Sequence, residues 1–214
     1  AVGLGAQTDD FNLRYYHYLN RYYDLVPPRK GSYFSSEIPL ARVALFLDNL
    51  FTGDRRFSIV AIGLVHAAFF LAALASIMLS FKSRPIAYRI VLCSGLVFVY
   101  SDVGYLAWFN SLYSEPASII FLAFSIGMIG LWPRFSRRLE PRLAWAAVFY
   151  VFVFLFIVAK PQNGPCGLVL ATIGYVLSLN PERSERRWFS WITAAAPCAI
   201  VLGLSAILTL TGQP

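Results

Sequence analysis

The sequence predicts an all-α, polytopic membrane protein with about six transmembrane helices and two interfacial helices in an outer N-terminal segment. The 214-residue chain is 58% hydrophobic and only 14% charged, with a mean hydropathy of +0.61. Soluble domains are about a quarter charged. The net charge is +7, but the basic residues fall in short gaps between apolar runs. That placement indicates membrane topology rather than nucleic-acid binding.

Six apolar runs predict the transmembrane helices. A hydrocarbon core of about 30 Å requires roughly 20 apolar residues per helix, and the charges that end each run mark its limits. The runs cover residues 57–81, 88–100, 117–132, 143–159, 164–179 and 188–210. We therefore expect an extracytoplasmic segment over residues 1–56 and a transmembrane helical bundle over residues 57–214.

The gaps between these runs alternate in charge. Ten of the 18 Lys and Arg residues lie in three gaps, with three in 82–89, four in 133–142 and three in 181–187. The gap at 101–116 carries only the charged residues Asp102 and Glu115. Because Lys and Arg in short loops favour the cytoplasmic side, the pattern predicts that residues 1–56 and the C-terminus lie on the outer side of the membrane. We expect this membrane to be a bacterial plasma membrane.

The outer segment contains two stretches with helical periodicity. The first covers residues 10–25, and the second covers residues 36–51 with Ser36 as its candidate N-cap. The recurring residues are Tyr15, Tyr18, Leu19 and Tyr22 in the first stretch, and Leu40, Val43, Ala44, Leu47, Leu50 and Phe51 in the second. Neither stretch can span a membrane, so both are predicted to lie in the interface with the apolar face toward the bilayer.

An acidic pair stands at the head of this segment. Asp9 and Asp10 precede Arg14, His17 and Arg21 at helical spacing. A carboxylate pair beside cations can act as a general base or as a metal ligand. The alternative is structural: a helix N-cap with an ion pair between Asp10 and Arg14 at i, i+4.

The gap over residues 100–116 is aromatic and partly apolar. Irregular backbone at membrane depth is stable only where protein or a water-filled cavity satisfies its amide groups. This stretch is therefore predicted to line a cavity, with Asp102, Asn110, Tyr113 and Glu115 pointing polar groups into it beside rings that can stack on a sugar. The alternative is an ordinary outer loop with interfacial aromatic residues.

A lysine begins the short gap Lys160-Pro-Gln-Asn-Gly-Pro165. A charged residue at such depth is a functional candidate, here as a partner of phosphate or carboxylate. The alternative is a lysine that extends to the interface.

Histidine and cysteine carry weaker signals. His66 lies inside the first apolar run and is predicted to be a core histidine with satisfied hydrogen bonds. Cys93, Cys166 and Cys198 show no CxxC spacing and no cluster with histidine, so they are predicted to be buried, small apolar side chains.

These features together resemble membrane glycosyltransferases of the GT-C class. In that class the first outer loop carries a catalytic acidic residue, and two juxtamembrane helices precede the next span. The run Asn110-Ser-Leu-Tyr-Ser-Glu-Pro116 resembles a Tyr-rich, Glu-bearing outer loop of some bacterial members, and Lys160-Pro-Gln162 resembles their Lys-x-Gln segment. Members normally have a transmembrane helix before the acidic loop, so this chain is either a fragment of a longer enzyme or shares only the architecture.

The resemblance implies that a sugar moves from a polyprenyl-phosphate donor to an acceptor on the outer face. It assigns Asp9 or Asp10 as general base, Lys160 as partner of the lipid phosphate, and Asp102 as an acceptor contact. The full set assigned to substrate binding is Asp102, Asn110, Tyr113, Glu115, Lys160, Gln162 and Arg14. A metal held by outer carboxylates would have oxygen ligands, which favours Mg²⁺ or Mn²⁺, but the sequence does not require one.

Two other classes of function remain open. A non-catalytic subunit would pack against other membrane proteins through small-residue faces. A transporter would use the helices broken at Pro116 and Pro165, although no internal repeat supports it. All three classes share the lipid bilayer as a partner, and none involves nucleic acid.

Overall fold

The computed structural model describes residues 4–5, 22–25, 35–53, 56–100, 102–135 and 139–178, with single positions at 199, 201, 203 and 206. The elements in chain order are β1 (Leu4–Gly5), β2 (Tyr22–Leu25), α1 (Glu37–Thr52), β3 (Arg56–Ser58), α2 (Ile59–Ser80), α3 (Ile86–Tyr100), α4 (Val103–Phe109), α5 (Glu115–Phe135), α6 (Leu139–Ala159), a 3-10 helix (Pro161–Asn163) and α7 (Gly164–Ser178). Helices thus dominate the described part of the chain, as predicted.

Three of the described helices are long and apolar enough to cross a membrane. They are α2, α5 and the part of α6 from Pro141 to Ala159. The helix α3 is apolar but shorter, and α7 has 15 residues. The run predicted over residues 188–210 lies outside the described ranges apart from single positions, so the count of six remains a prediction.

The helix ends differ from the predicted limits for local reasons. The helix α2 begins at Ile59 rather than at residue 57, because Phe57 belongs to β3 and the Ser58 side chain accepts the Val60 N–H at 3.3 Å as an N-cap. The helix α6 begins at Leu139, which places Pro141 in its first turn. Proline is tolerated there because the first-turn N–H groups have no partner within the helix.

The packing of the helices fixes their relative directions. The helices α2 and α5 are parallel, since Gly127 lies against Ser76 and Gly130, about one turn later in α5, lies against Ser80, about one turn later in α2. The helices α5 and α6 are antiparallel: the Trp145 indole N–H, near the start of α6, donates to the Met128 carbonyl at 2.7 Å. The helix α7 turns back along α6, where the Tyr150 hydroxyl donates to the Ala171 carbonyl at 3.3 Å. The starts of α2, α5 and α7 therefore lie at the same end of the bundle as the end of α6, and we call this the Glu115 end.

The opposite end carries basic residues. Arg134, in the last turn of α5, donates to the Leu79 carbonyl near the end of α2 at 2.6 Å. A cation beside the last carbonyls of a helix is favourable because those groups carry the negative end of the helix dipole. Lys82 and Arg84 follow immediately after α2. Two of the three basic gaps thus begin at this one end.

Aromatic rings fill the interface between α5 and α6. Trp145 is buried and stacks on Phe149, with ring centroids 5.0 Å apart, while Trp132 lies 4.5 Å from Trp145. Further along, Phe124 stacks on Phe152 at 4.5 Å. Such pairs contribute about 0.5–1.5 kcal/mol each beyond their buried area. They hold α5 and α6 in one register and so set where the two helices end.

The prediction of a helix over residues 10–25 is wrong for its last four residues. Tyr22–Leu25 is the strand β2, which pairs antiparallel with β3 and with β1. Tyr23 lies opposite Phe57, and both are buried, while Asp24 and Arg56 form an exposed ion pair at 3.8 Å. Alternation with period two is the pattern of a half-buried strand, and pairing with a distant strand overrides the local helical spacing. Residues 10–21 lie outside the described ranges.

The second predicted helix is confirmed as α1, but its cap and inner face differ from the prediction. Ser36 has helical dihedrals and makes no capping hydrogen bond, whereas the Ser35 hydroxyl accepts the Glu37 N–H at 3.3 Å. The buried face consists of Glu37, Leu40, Ala41, Ala44 and Asp48. A carboxylate can occupy this face because the Asp48 side chain accepts the Ser58 backbone N–H at 2.8 Å.

Five further apolar residues of α1 form an exposed stripe. It consists of Val43, Phe46, Leu47, Leu50 and Phe51, and Phe51 is 83% exposed. These positions recur at i, i+3, i+4, i+7 and i+8, so they share one side of the helix. An exposed apolar face is therefore present on α1, but Leu40 and Ala44 are turned inward from it, and its place in the membrane interface stays a prediction.

A nitroxide attached at this stripe should report lipid contact. In a background with the native cysteines replaced by serine, we expect a label on Leu50→Cys to be relaxed more by oxygen, which partitions into lipid, than by a water-soluble nickel chelate. A label on Arg42→Cys, which is exposed on another side of α1, should show the reverse order. Equal nickel accessibility at both positions would contradict interfacial burial of α1.

Candidate polar site at the Glu115 end

Four ionisable side chains gather at the Glu115 end of an otherwise apolar bundle. Glu37 is the first residue of α1, and His66 lies about two turns into α2. Glu115 is the first residue of α5, and Lys160 follows directly after α6. Charged groups at such a position are costly unless they are paired, and these four form two contacting pairs.

The first pair is fully enclosed. His66 is 0% exposed and Glu37 is 5% exposed. The His66 Nε2 atom lies 2.9 Å from Glu37 Oε1, and its Nδ1 atom lies 2.8 Å from the carbonyl oxygen of Phe109, the last residue of α4. One imidazole ring thus connects α1, α2 and α4.

Several groups act on the Glu37 carboxyl. Burial raises its pKa, and this effect outweighs the hydrogen bond and charge of His66, which lower it. The Glu115 carboxylate raises the pKa further, while the Ala117 backbone N–H lowers it. Glu37 Oε2 is buried without a hydrogen-bond partner. The result is a raised pKa at Glu37, caused chiefly by desolvation.

The second pair joins the two antiparallel helices of the core. The Lys160 ammonium donates to Glu115 Oε1 in an ion pair, and the side chains are 29% and 26% exposed. Glu115 Oε2 is buried without a hydrogen-bond partner. The two residues are 45 positions apart in the chain, so the antiparallel packing of α5 and α6 brings them together.

Neutral hydrogen bonds hold the backbone around Lys160. The Asn163 side-chain amide donates to Ser118 Oγ at 2.9 Å and to the Phe156 carbonyl at 2.8 Å. The Ser35 hydroxyl donates to the Ala159 carbonyl at 3.2 Å. The segment before α1, the start of α5 and the end of α6 are thus tied to one another next to the lysine.

The expected irregular backbone over residues 100–116 is wrong for its first half. Residues Val103–Phe109 form α4, and Asp102 Oδ1 accepts the Gly104 N–H at 2.7 Å as the N-cap. Asp102 is exposed. The apolar and aromatic residues of this stretch can form a helix whose backbone groups bond to one another. Among the described residues between α3 and α5, the non-helical ones are Asp102 and residues 110–114.

The other predicted substrate contacts border this cluster. Asn110 is exposed, and its side chain lies against Gly63 of α2, where any Cβ would collide with it. Tyr113 is also exposed, and Tyr23 of β2 has a raised pKa, first because of burial and second because of Tyr113. Gln162 is exposed in the 3-10 helix.

The predicted catalytic pair, Asp9 and Asp10, and the predicted ligand Arg14 lie outside the described residues. Their place relative to the cluster therefore stays a prediction.

Sequence reasoning did not single out Glu37. His66 does have both ring nitrogens in hydrogen bonds, as expected of a core histidine, but its acidic partner was not predicted. A signal was present: an acidic residue opens a helix with an apolar inner face, and an isolated histidine interrupts a long apolar run. Each residue lowers the free-energy cost of burying the other, because the two form a hydrogen bond.

Within the described ranges, no three His, Cys, Asp or Glu side chains converge as they would around a metal ion. Cys93 and Cys166 are free thiols. Both are exposed on helix surfaces rather than buried as predicted, because the described helices cover neither side chain fully, although the Cys93 sulfur lies 3.5 Å from the Met78 sulfur of α2. Cys198 lies outside the described residues.

Comparison with known proteins gives one family. No curated protein and no solved structure matches the chain significantly. The three apolar helices that are long enough to span a membrane agree with a family-model match that covers the chain from residue 1 to residue 213. On that match, the chain belongs to the family described as the YfdI N-terminal transmembrane domain.

Proposed function

We propose that this chain is the membrane domain of a glycosyltransferase that moves a sugar from a polyprenyl-phosphate donor to an acceptor on the outer face of the membrane. The observation that carries the proposal is the Glu115–Lys160 ion pair beside the buried Glu37–His66 pair, all at one end of an apolar bundle. Membership of a transmembrane-domain family supports the membrane location of this site. The basic residues at the opposite end favour an outward-facing Glu115 end.

Lys160 is the proposed partner of the donor phosphate. An ammonium group has three N–H donors, and one of them is used by Glu115. The other two can bind phosphate oxygens, while the carboxylate orients the ammonium. A fixed cation at this point stabilises the negative charge that develops on the leaving polyprenyl phosphate.

Asp9 or Asp10 is the proposed general base. The carboxylate accepts the proton of the acceptor hydroxyl as that oxygen attacks the anomeric carbon. The bond from this carbon to the phosphate oxygen breaks, and polyprenyl phosphate leaves with the bonding electrons. Asp102, Asn110, Tyr113, Gln162 and Arg14 are proposed to contact the sugars and the phosphate.

The test is sugar transfer in membranes from cells that express the complete native protein. The donors are polyprenyl phosphates that carry a panel of radiolabelled hexoses, and the readout is label in glycolipid or protein. We expect Asp9→Asn or Asp10→Asn to lower the rate at least about 100-fold, the lower limit for a lost general base. Glu115→Gln should lower it as well, because the lysine loses its orienting partner.

Asp24→Asn is the matched control. Asp24 is an exposed aspartate of β2 whose only described ion pair is with Arg56, and the variant should transfer at the wild-type rate. Full transfer by Asp9→Asn, Asp10→Asn and Glu115→Gln, or no transfer from any donor by the native protein, would contradict the proposed function.

A further inference from the structure

We propose that Glu37 and His66 hold one shared proton and act as positioning residues that fasten α1 and α4 to α2 beside the Glu115–Lys160 ion pair. The inference concerns a pair with no role in the proposed transfer step. Its effect on transfer rests on the proposed function, whereas its effect on stability does not.

Hydrogen-bond roles fix the proton count of the pair. The Phe109 carbonyl oxygen can only accept, so His66 Nδ1 must carry a hydrogen. The contact from Nε2 to Glu37 Oε1 then has two forms. Either a protonated imidazole donates to a carboxylate, or a protonated Glu37 donates to a neutral imidazole. Both forms contain one proton between the two residues and have no net charge.

Loss of that proton breaks the contact. The Nε2 lone pair would then face the Glu37 carboxylate, and this buried negative charge would lose its hydrogen bond from His66. The charged groups that face Glu37 from packed elements, among the described residues, are His66 on α2 and Glu115 on α5, and Lys160 pairs with Glu115. Glu115 raises the cost of a second nearby carboxylate charge.

The Glu37–His66 pair is placed so that it can control the geometry of the Glu115–Lys160 ion pair. Phe109 ends α4, and the short turn after it leads directly to Glu115. Glu37 lies two residues after Ser35, whose hydroxyl donates to the carbonyl of Ala159 next to Lys160. Release of His66 from its two partners therefore frees the chain on both sides of the Glu115–Lys160 contact.

The raised pKa of Glu37 agrees in sign with this inference. A carboxyl whose pKa is higher in the folded state than in the unfolded state binds more protons when folded. Its contribution to stability is therefore present at low pH and is lost as the pH rises through the folded value. The wild-type protein should become less stable on the alkaline side.

The test is thermal unfolding of the complete native protein in lipid nanodiscs, scanned upward from about pH 5, just above the ordinary pKa of a glutamate carboxyl, because the pKa of Glu37 is raised in the folded protein. Wild-type protein should unfold at progressively lower temperature as the pH rises. Glu37→Gln should lose most of this alkaline slope, because its amide N–H can donate to neutral Nε2 and cannot dissociate. Glu37→Leu should unfold at lower temperature than Glu37→Gln at every pH.

Asp48→Asn is the control, since Asp48 is another buried acid on α1 but accepts from a backbone N–H instead of a histidine. It should keep the wild-type alkaline slope. A Glu37→Gln slope equal to that of the wild type would overturn the shared proton, and this comparison decides even if Glu37→Leu fails to fold.

Transfer assays test the positioning role separately. We expect Glu37→Leu to lose at least about tenfold in kcat/KM, since displacement of positioned groups lowers rates strongly. Glu37→Gln should recover most of that loss. Wild-type kcat/KM in Glu37→Leu would overturn positioning. An absence of transfer in the native protein would instead count against the proposed function, while the unfolding scan would still decide on the shared proton.

Discussion

Gly127→Leu should strongly destabilise the packing of α5 against α2. A Cβ at Gly127 would lie 2.9 Å from Ser76 Cβ and 3.1 Å from the backbone nitrogen of Ile77, and it would collide with Ser76 Oγ. Backbone of α2 cannot move aside as a flexible side chain can. Overpacking of this kind costs about 1–3 kcal/mol or more, and we expect the upper part of that range.

The measurement is thermal unfolding in nanodiscs together with the monodisperse fraction after purification. The control is Gly95→Leu on α3, where an added Cβ meets no atom within 4 Å. Both substitutions give the same gain in helix propensity, so the difference between them isolates the contact between α2 and α5. If both variants unfold at the same temperature, the close approach at Gly127 is contradicted.

Lys160→Met should cause the second large effect, on both stability and transfer. The substitution leaves the Glu115 carboxylate without its cation, although Glu115 Oε2 is already buried without a partner. Because the pair is partly exposed, we expect a loss of about 1–3 kcal/mol, below the value for a fully buried pair. If Lys160 also binds the donor phosphate, the transfer rate should fall about 100-fold or more.

The double variant Glu115→Gln with Lys160→Met separates these two effects. It removes the unpaired charge, so most of the stability lost in Lys160→Met should return. Transfer should not return, because the phosphate still lacks its cation. Recovery of transfer in the double variant would show that Lys160 serves only to neutralise Glu115, and the proposed role at the phosphate would be wrong.

The long helices were predictable because the bilayer imposes a length on each apolar run. The helices α2, α5 and α6 follow from that length and from the charges that end each run. The small sheet was not predictable by the same means. Tyr22–Leu25 has four residues, too few for a clear alternation, and its partner Arg56–Ser58 is more than 30 positions away. Pairing between distant strands leaves little trace in local spacing.

The site was predictable in parts. Glu115 and Lys160 could each be selected because a charge next to a membrane span needs a reason. Their contact could not be predicted, since it depends on the register of α5 against α6, which ring contacts such as that between Trp132 and Trp145 set. Glu37 resembles an ordinary helix-start acid, and His66 resembles an ordinary core residue. Only the contact between them in the folded structure identifies the two residues as a buried polar pair.

The join between the outer sheet and the bundle has a mechanical consequence. The strand β3 ends at Ser58 and α2 begins at Ile59, so no loop separates them. The Ser58 N–H is also held by Asp48 of α1. A displacement of β2 is therefore transmitted directly to the start of α2, because no flexible loop lies between β3 and α2. At the other end of α2, Arg134 of α5 donates to the Leu79 carbonyl. A movement of the outer sheet can therefore reach the basic end of the bundle through a single rigid helix.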